Sequence, residues 1–210
     1  MAFNKALKSS FPLEVLNKDL KLIFVSNLAG SFGDGLYAYI LPYYMRESLS
    51  ATPAEVGILY ALVNIVSAIT LFFAGMIADK YDRKKIMIAG WLSWLPAPII
   101  FSLATNWLQM LPGMILWGFW LGGPSTAYII TSADKRRLTL TFTMISSAWS
   151  LGYIFSPAIG GYLADAAGMK IVFYLAFIFY VSATLTLLFI SSQRAEGYEK
   201  REKEHKYSFF

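Results

Sequence analysis

Hydrophobic and polar positions alternate along this chain in long blocks, with long uncharged runs divided by short charged segments. Twenty-three uncharged residues separate Glu55 from Asp79, and forty-eight separate Lys85 from Asp134. Twenty-seven lie between Arg137 and Asp165, and twenty-three between Lys170 and Arg194. A helix crosses the ~30 Å hydrocarbon core of a bilayer with about 20 apolar residues, so each run is long enough to span. The longest run divides at Thr105-Asn106-Trp107, the only polar turn-like cluster within it. The segment from Leu22 to Met45 is apolar except for Asp34. Six spans are predicted, near 22–45, 55–79, 86–104, 108–131, 139–163 and 169–191. Transmembrane β-strands are ~10 residues of alternating polarity and do not produce such continuous runs. The expected fold is an all-α integral membrane bundle over 22–192, with a cytoplasmic segment at 1–21 and a charged cytoplasmic tail at 193–210.

Composition agrees and narrows the picture. Of the 210 residues 57% are hydrophobic and 15% charged, against about 25% charged in an average soluble domain. A soluble globular fold and a disordered chain are both excluded. Lysine and arginine in short loops orient a membrane protein. Sixteen of the 18 fall on one side, in clusters at Lys5–Lys21, Lys80–Lys85, Lys135–Arg137 and Arg194–Lys206. The other side has only Arg46 and Lys170. Both termini are therefore expected in the cytoplasm of a cell-membrane protein. The net charge of +5 is a topology signal beside anionic lipid rather than a nucleic-acid patch. Residues 1–21 are polar and lysine-bearing, without the apolar core of a cleavable signal peptide. With no cysteine, and the lone His205 in the charged tail, there is no basis for disulfides, a thiolate metal site or a cysteine nucleophile. No cofactor is indicated. A membrane hydrolase would need a nucleophile and base at membrane depth, and neither G-x-S-x-G nor H-E-x-x-H occurs.

The chain contains an internal echo. Gly75-Met-Ile-Ala-Asp79 with Lys84, and Gly161-Tyr-Leu-Ala-Asp165 with Lys170, both read G-x-x-A-D-x-x-x-x-K, 86 residues apart. A weaker match joins Gly33 and Ala38-Tyr39-Ile40 to Gly122 and Ala127-Tyr128-Ile129. The first copy of the stronger motif falls on the cytoplasmic side and the second outside. Two three-helix units of inverted topology, a transporter construction, would place them so.

Two motifs carry a family resemblance. Gly75-Met-Ile-Ala-Asp79-Lys80-Tyr-Asp82-Arg83-Lys84-Lys85 resembles the major facilitator signature G-x-x-x-D-[RK]-x-G-[RK]-[RK], with Asp82 where a glycine is usual. Gly152-x-x-x-Ser156-Pro157-x-x-Gly160-Gly161 resembles that family's antiporter-associated G-x-x-x-G-P-x-x-G-G, with Ser156 for a glycine. The fourth-span pattern R-x-x-x-G is not met, since Gly118 stands at the arginine position if Gly122 is its glycine. The resemblance runs from Leu22 to Ser192 and covers the N-terminal six-helix half of a twelve-helix facilitator. It implies a cytoplasmic latch at Gly75, Asp79 and Arg83 that stabilises an outward-open state; the plainer reading is a topology determinant. Ala148, Gly152, Ser156, Gly160 and Ala164 form one continuous small-residue face at spacing four, and Pro157 removes a backbone hydrogen bond and allows a bend there. That face suits static packing inside the bundle, and the resemblance inclines it toward an interface with the other half.

Asp34 is the one acid deep within a span, at a cost of about 2.5–3.5 kcal/mol on insertion scales. Asn27, Ser31 and Tyr37 share its face, and this polar stripe suits a water-accessible cavity. Asp34 reads as a protonatable coupling site or a counter-charge for a cationic substrate; the plainer alternative is pairing with a residue of the missing half. Asn64, Trp117 and Tyr128 are further cavity candidates, and Trp120 is a possible stacking surface. The expected function is alternating-access transport of a small solute, proton-coupled and leaning to efflux. The alternative is a non-transporting half that binds another membrane protein. Expected partners are the substrate, the bilayer and a second six-helix half, whether this chain continued, a second copy or a separate polypeptide. The closing Tyr207-Ser-Phe-Phe210 reads like the approach to a seventh span, as in a fragment.

Overall fold

The computed structural model describes residues 13–194; Lys5, Lys8 and the tail from residue 195, including His205 and residues 207–210, lie outside them. The first span comprises α1 (Lys18–Tyr37) and α2 (Leu41–Leu49). Asn17 caps α1 by accepting the Leu20 N–H at 2.9 Å, which satisfies one of the donors that a helix start leaves open. The chain turns at 38–40, just ahead of Pro42, and α2 ends at Ser50 in the left-handed conformation. A reciprocal capping box between Thr52 and Glu55 then opens α3 (Pro53–Ala78). The third span is α4 (Arg83–Trp94) and α5 (Pro96–Leu103), the fifth α8 (Leu138–Ala167) and the sixth α9 (Met169–Leu187).

The fourth span departs from the continuous helix expected over 108–131. It comprises a 3-10 turn (Trp107–Met110), α6 (Leu111–Trp117) and α7 (Gly122–Ser132), with residues 118–121 non-helical. Gly118, Gly122 and Gly123 weaken the helix here, and Pro124 has no N–H for the Trp120 carbonyl and would clash with it. Irregular backbone at membrane depth needs polar partners, and neighbouring side chains supply them. Ser67 donates to the Gly118 carbonyl at 2.8 Å, Trp94 Nε1 donates to the Phe119 carbonyl at 2.7 Å, and Thr70 Oγ1 accepts the Trp120 N–H at 3.1 Å. Among the described residues four segments, Pro53–Ala78, Arg83–Leu103, Lys135–Ala167 and Met169–Leu187, are long and apolar enough to cross a membrane. The first span carries charge at its start, and the fourth is broken.

Packing follows the internal repeat. The first span packs on the fifth and sixth, the fourth packs on the second and third, and the third and sixth meet. Exchanging first with fourth, second with fifth and third with sixth leaves this contact pattern unchanged, as two related three-helix units require.

The small-residue face of the fifth span turns inward. Gly152 lies against Ser31 and the Phe32 backbone, Ser156 against Gly35, and Gly160 against the Leu36 carbonyl. Ala148, Gly152, Ser156 and Gly160 are all buried. The inclination toward an interface with another half is thus corrected: the face is the seam between α1 and α8. The reason lies on α1, whose own small residues Ser31 and Gly35 sit four apart and complement it. A side chain at Gly160 would collide with backbone, so close approach is possible only without one. Gly161, by contrast, opens onto free space. On α3 the outward face exposes Ile65, Ile69, Phe72, Phe73 and Met76.

Candidate functional site

Asp34 sits near the end of α1, 4% exposed. Its helix continues unbroken to Tyr37, so the neighbouring glycines serve close packing rather than unwinding. The ring of Trp91 fills the space beside Gly30. Around the carboxylate stand donors from three other spans. Trp117 Nε1 and the Tyr180 hydroxyl each donate to Oδ1 at 2.7 Å, and the Tyr153 hydroxyl donates to Oδ2. Tyr37 lies 2.8 Å from the Tyr180 hydroxyl and, with that proton committed to Asp34, is its donor. Hydrogen bonds to a charged acceptor contribute about 1.5–3 kcal/mol each, enough together to offset burial of the acid. Among the described residues no cation touches it. The site is a carboxylate held entirely by neutral donors.

Beside it lies a cavity of about 510 Å³, where the two hydrophobic clusters of the bundle meet. Trp91 and Trp94 of α4, Trp120 of the fourth-span break and Trp149 of α8 line it. These rings contact one another: Trp91 and Trp149 are nearly parallel with centroids 6.3 Å apart, and Trp120 meets Trp149 edge-on at 5.4 Å. Asn27, Ser125, Thr126 and Ser146 give the lining its polar points. None of the lining residues is charged. Asp34 is not among them. Tyr153 stacks on Trp149 at 6.4 Å, and Tyr180 lies 5.9 Å from Trp91 and 5.8 Å from Trp94. The phenols that hold Asp34 are therefore the back of the wall that lines the cavity.

The residues singled out from the sequence divide among several places. Asp34, Tyr37 and Trp117 come together in the sealed nest, and Asn27 lines the cavity. Ser31 is buried at the α1–α8 seam, its hydroxyl donating to the Leu28 or Ala148 carbonyl at 3.1 or 3.2 Å. Asn64 is exposed on α3 and donates to the Tyr60 carbonyl of its own helix at 2.8 Å. Tyr128 belongs to neither site: its hydroxyl is 2.9 Å from both Asp19 Oδ2 and the Ser191 carbonyl. The polar stripe on α1 therefore reaches the cavity only through Asn27. Close packing on α8 and α9 covers the rest. Tyr153 and Tyr180 were not singled out in the sequence. The spacing of four between Trp149 and Tyr153, one position along from the small-residue face, was the available signal for the former.

A third cluster gathers the basic end of the bundle. Arg83 is buried and its Nη1 donates to Thr131 Oγ1 at 2.8 Å, Gln193 Oε1 at 2.9 Å and the Ala127 carbonyl at 3.3 Å. Lys84 Nζ donates to the Leu188 and Ile190 carbonyls at 2.8 and 2.6 Å. Cations there meet the negative ends of α7 and α9. Asp82, the departure from the motif, caps α4 by accepting the Lys84 N–H at 3.0 Å and also takes the Gln193 N–H at 3.2 Å. Asn17 reaches the Ser132 carbonyl at 3.0 Å on the same side. Asp79 is exposed and Gly75 opens onto free space, though a side chain added at Gly123 would meet the Gly75 backbone. The rim contacts thus rest on Asp82, Arg83 and Gln193.

Among the described residues, an all-helical bundle of two related three-helix units, with a broken fourth span beside a cavity, defines a multi-pass membrane protein built like half of a secondary transporter. The sequence profile of the Major Facilitator Superfamily matches residues 23–209, and the chain belongs to that family. This is a family of transporters rather than enzymes. "Multidrug resistance protein 2" of Bacillus subtilis (strain 168) is 29% identical over 196 residues, covering 88% of this chain and 47% of its own length. "Quinolone resistance protein NorA" of Staphylococcus aureus is 24% identical over 164 residues, covering 77% and 42%. The solved structure of the human organic anion transporter MFSD10 (TETRAN) aligns with a TM-score of 0.67 at 16% identity, over 84% of this chain and 49% of that one. The chain spans about half the length of the relatives it matches.

Proposed function

We propose that the chain forms one six-helix half of a secondary transporter that moves a small solute by alternating access, in exchange for protons carried by Asp34. Support comes above all from Asp34, the one acid deep within a span, held by phenols directly behind a solute-sized cavity. A carboxylate with donors but no fixed counter-cation can take up a proton without leaving an unpaired charge behind. The drug-resistance names of two relatives support export as the direction. The clustering of positions 17–19, 82–84, 127–132 and 188–193 at one end, where lysine and arginine concentrate, supports a cell-membrane orientation with both termini in the cytoplasm. The bundle over 22–192 then presents the apolar face of α3 and the open backbone at Gly75 and Gly161 to a second half. The Arg83 cluster serves as the cytoplasmic latch, with Asp79 free to engage that half.

Asp34→Asn tests the coupling. In reconstituted vesicles the variant should insert normally and lose solute movement driven by a pH gradient. Undiminished, pH-independent transport by that variant would remove Asp34 from the mechanism.

A further inference from the structure

The transport reading leaves the chemistry of the solute open, and the cavity wall constrains it. Four tryptophans line the cavity, with Phe119 and Phe142 beside them. Their faces and edges offer dispersion and quadrupole contacts to a flat ring. Asn27, Ser125, Thr126 and Ser146 have no side-chain hydrogen-bond partner among the described residues, so a bound solute can occupy them. Charge is what the wall lacks. Asp34 lies behind Tyr153 and Tyr180, and its oxygens already accept the hydrogen bonds of Trp117, Tyr153 and Tyr180. Arg83 and Lys84 lie at the rim, outside the cavity lining, with Arg83 Nη1 and Lys84 Nζ donating to helix ends and Arg83 Nε buried without a partner. A cation entering the cavity would gain cation–π attraction from the tryptophans, about 0.5–2 kcal/mol, but would find no carboxylate in this wall to pair with. An anion would lose its water and meet the negative faces of the rings.

We infer that the tryptophan cavity binds an uncharged, planar aromatic solute carrying neutral hydrogen-bonding groups, and that Asp34 is not its counter-charge. The inference rests on the transport reading only for its biological meaning, since binding needs no flux.

The test uses the protein in lipid nanodiscs and three probes with one ring system: 2-naphthol, 2-naphthoate, and trimethyl(2-naphthyl)ammonium. Equilibrium dialysis at pH 7, with empty discs subtracted, reads the affinities. The neutral probe should bind at least tenfold tighter than either ion, and Trp149→Leu should weaken it at least tenfold. The comparison of probes on the unsubstituted protein stands even if that variant fails to fold. Equal binding of all three, preference for either ion, or neutral binding indifferent to a folded Trp149→Leu would overturn the inference. Selective neutral binding without any proton-coupled flux would reject the transport reading and keep this one. Coupled flux with charge-indifferent binding would do the reverse.

Discussion

The Asp34 nest and the tryptophan cavity are neighbours built on opposite principles. In the nest a carboxyl group is buried and its partners are hydrogen-bond donors from three other spans. In the cavity there is room for a ligand, no charge, and polar side chains without partners. A single layer of aromatic rings divides them, with Tyr153 against Trp149 and Tyr180 against Trp91 and Trp94. On the proposed reading, with the proton on Asp34 and the solute in the cavity, the two would be separated by one layer of rings, Tyr153 lying between Trp149 and the acid.

That separation can be broken from either side. The largest effect is expected from Tyr153→Phe combined with Tyr180→Phe, which strips two phenolic donors from the carboxylate and keeps the ring wall. Each such bond is about 1.5–3 kcal/mol, so proton-driven flux in vesicles should fall by at least tenfold. Dialysis of 2-naphthol should change by less than threefold. If binding falls in step with flux, the two sites are one. A smaller and opposite effect is expected from Trp120→Leu, which removes a cavity ring and touches none of the Asp34 donors. Aromatic contacts of this kind are about 0.5–1.5 kcal/mol, so 2-naphthol affinity should drop by about twofold to tenfold. Flux at saturating solute should keep its dependence on the pH gradient, and a loss of that dependence would join the regions again.

The contrast also marks what could be read from the chain. Span number, the exceptional acid and the inverted echo were legible because membrane burial imposes a coarse rule on every position, twenty apolar residues at a time. Helical periodicity put Asn27, Ser31, Asp34 and Tyr37 on one face, correctly as a face. It could not say which helix that face meets. The answer depended on the α8 seam, where Gly152 and Gly160 admit the α1 backbone and so bring Tyr153 within reach of Asp34. The same ignorance of partners left the small-residue face open between packing inside the bundle and an interface with another half, and the α1 seam places it inside. At the rim, Asp82 read as a departure from a motif. Its role as cap and as acceptor for Gln193 depends on a contact 111 residues away.

The smallest effect concerns the first and fourth spans, which occupy equivalent places in the two units. The first keeps its helix through Asp34 and meets the cost with side-chain donors. The fourth gives up its helix at 118–121 and meets the cost with Ser67, Thr70 and Trp94, beside the cavity. Ser67→Ala leaves the Gly118 carbonyl without that donor in a partly buried position. An ordinary neutral hydrogen bond contributes about 0.5–1.5 kcal/mol, and 1 kcal/mol shifts the melting temperature of a chain this size by about 2–4 °C. Thermal unfolding in nanodiscs should show a decrease of that order. Added 2-naphthol should recover part of it, because a ligand bound only to the folded state stabilises by mass action and Trp120, in the break, is one of its walls. A decrease that the ligand cannot offset at saturation would mean that the break is structural alone, and that the cavity does not depend on how the fourth span is interrupted.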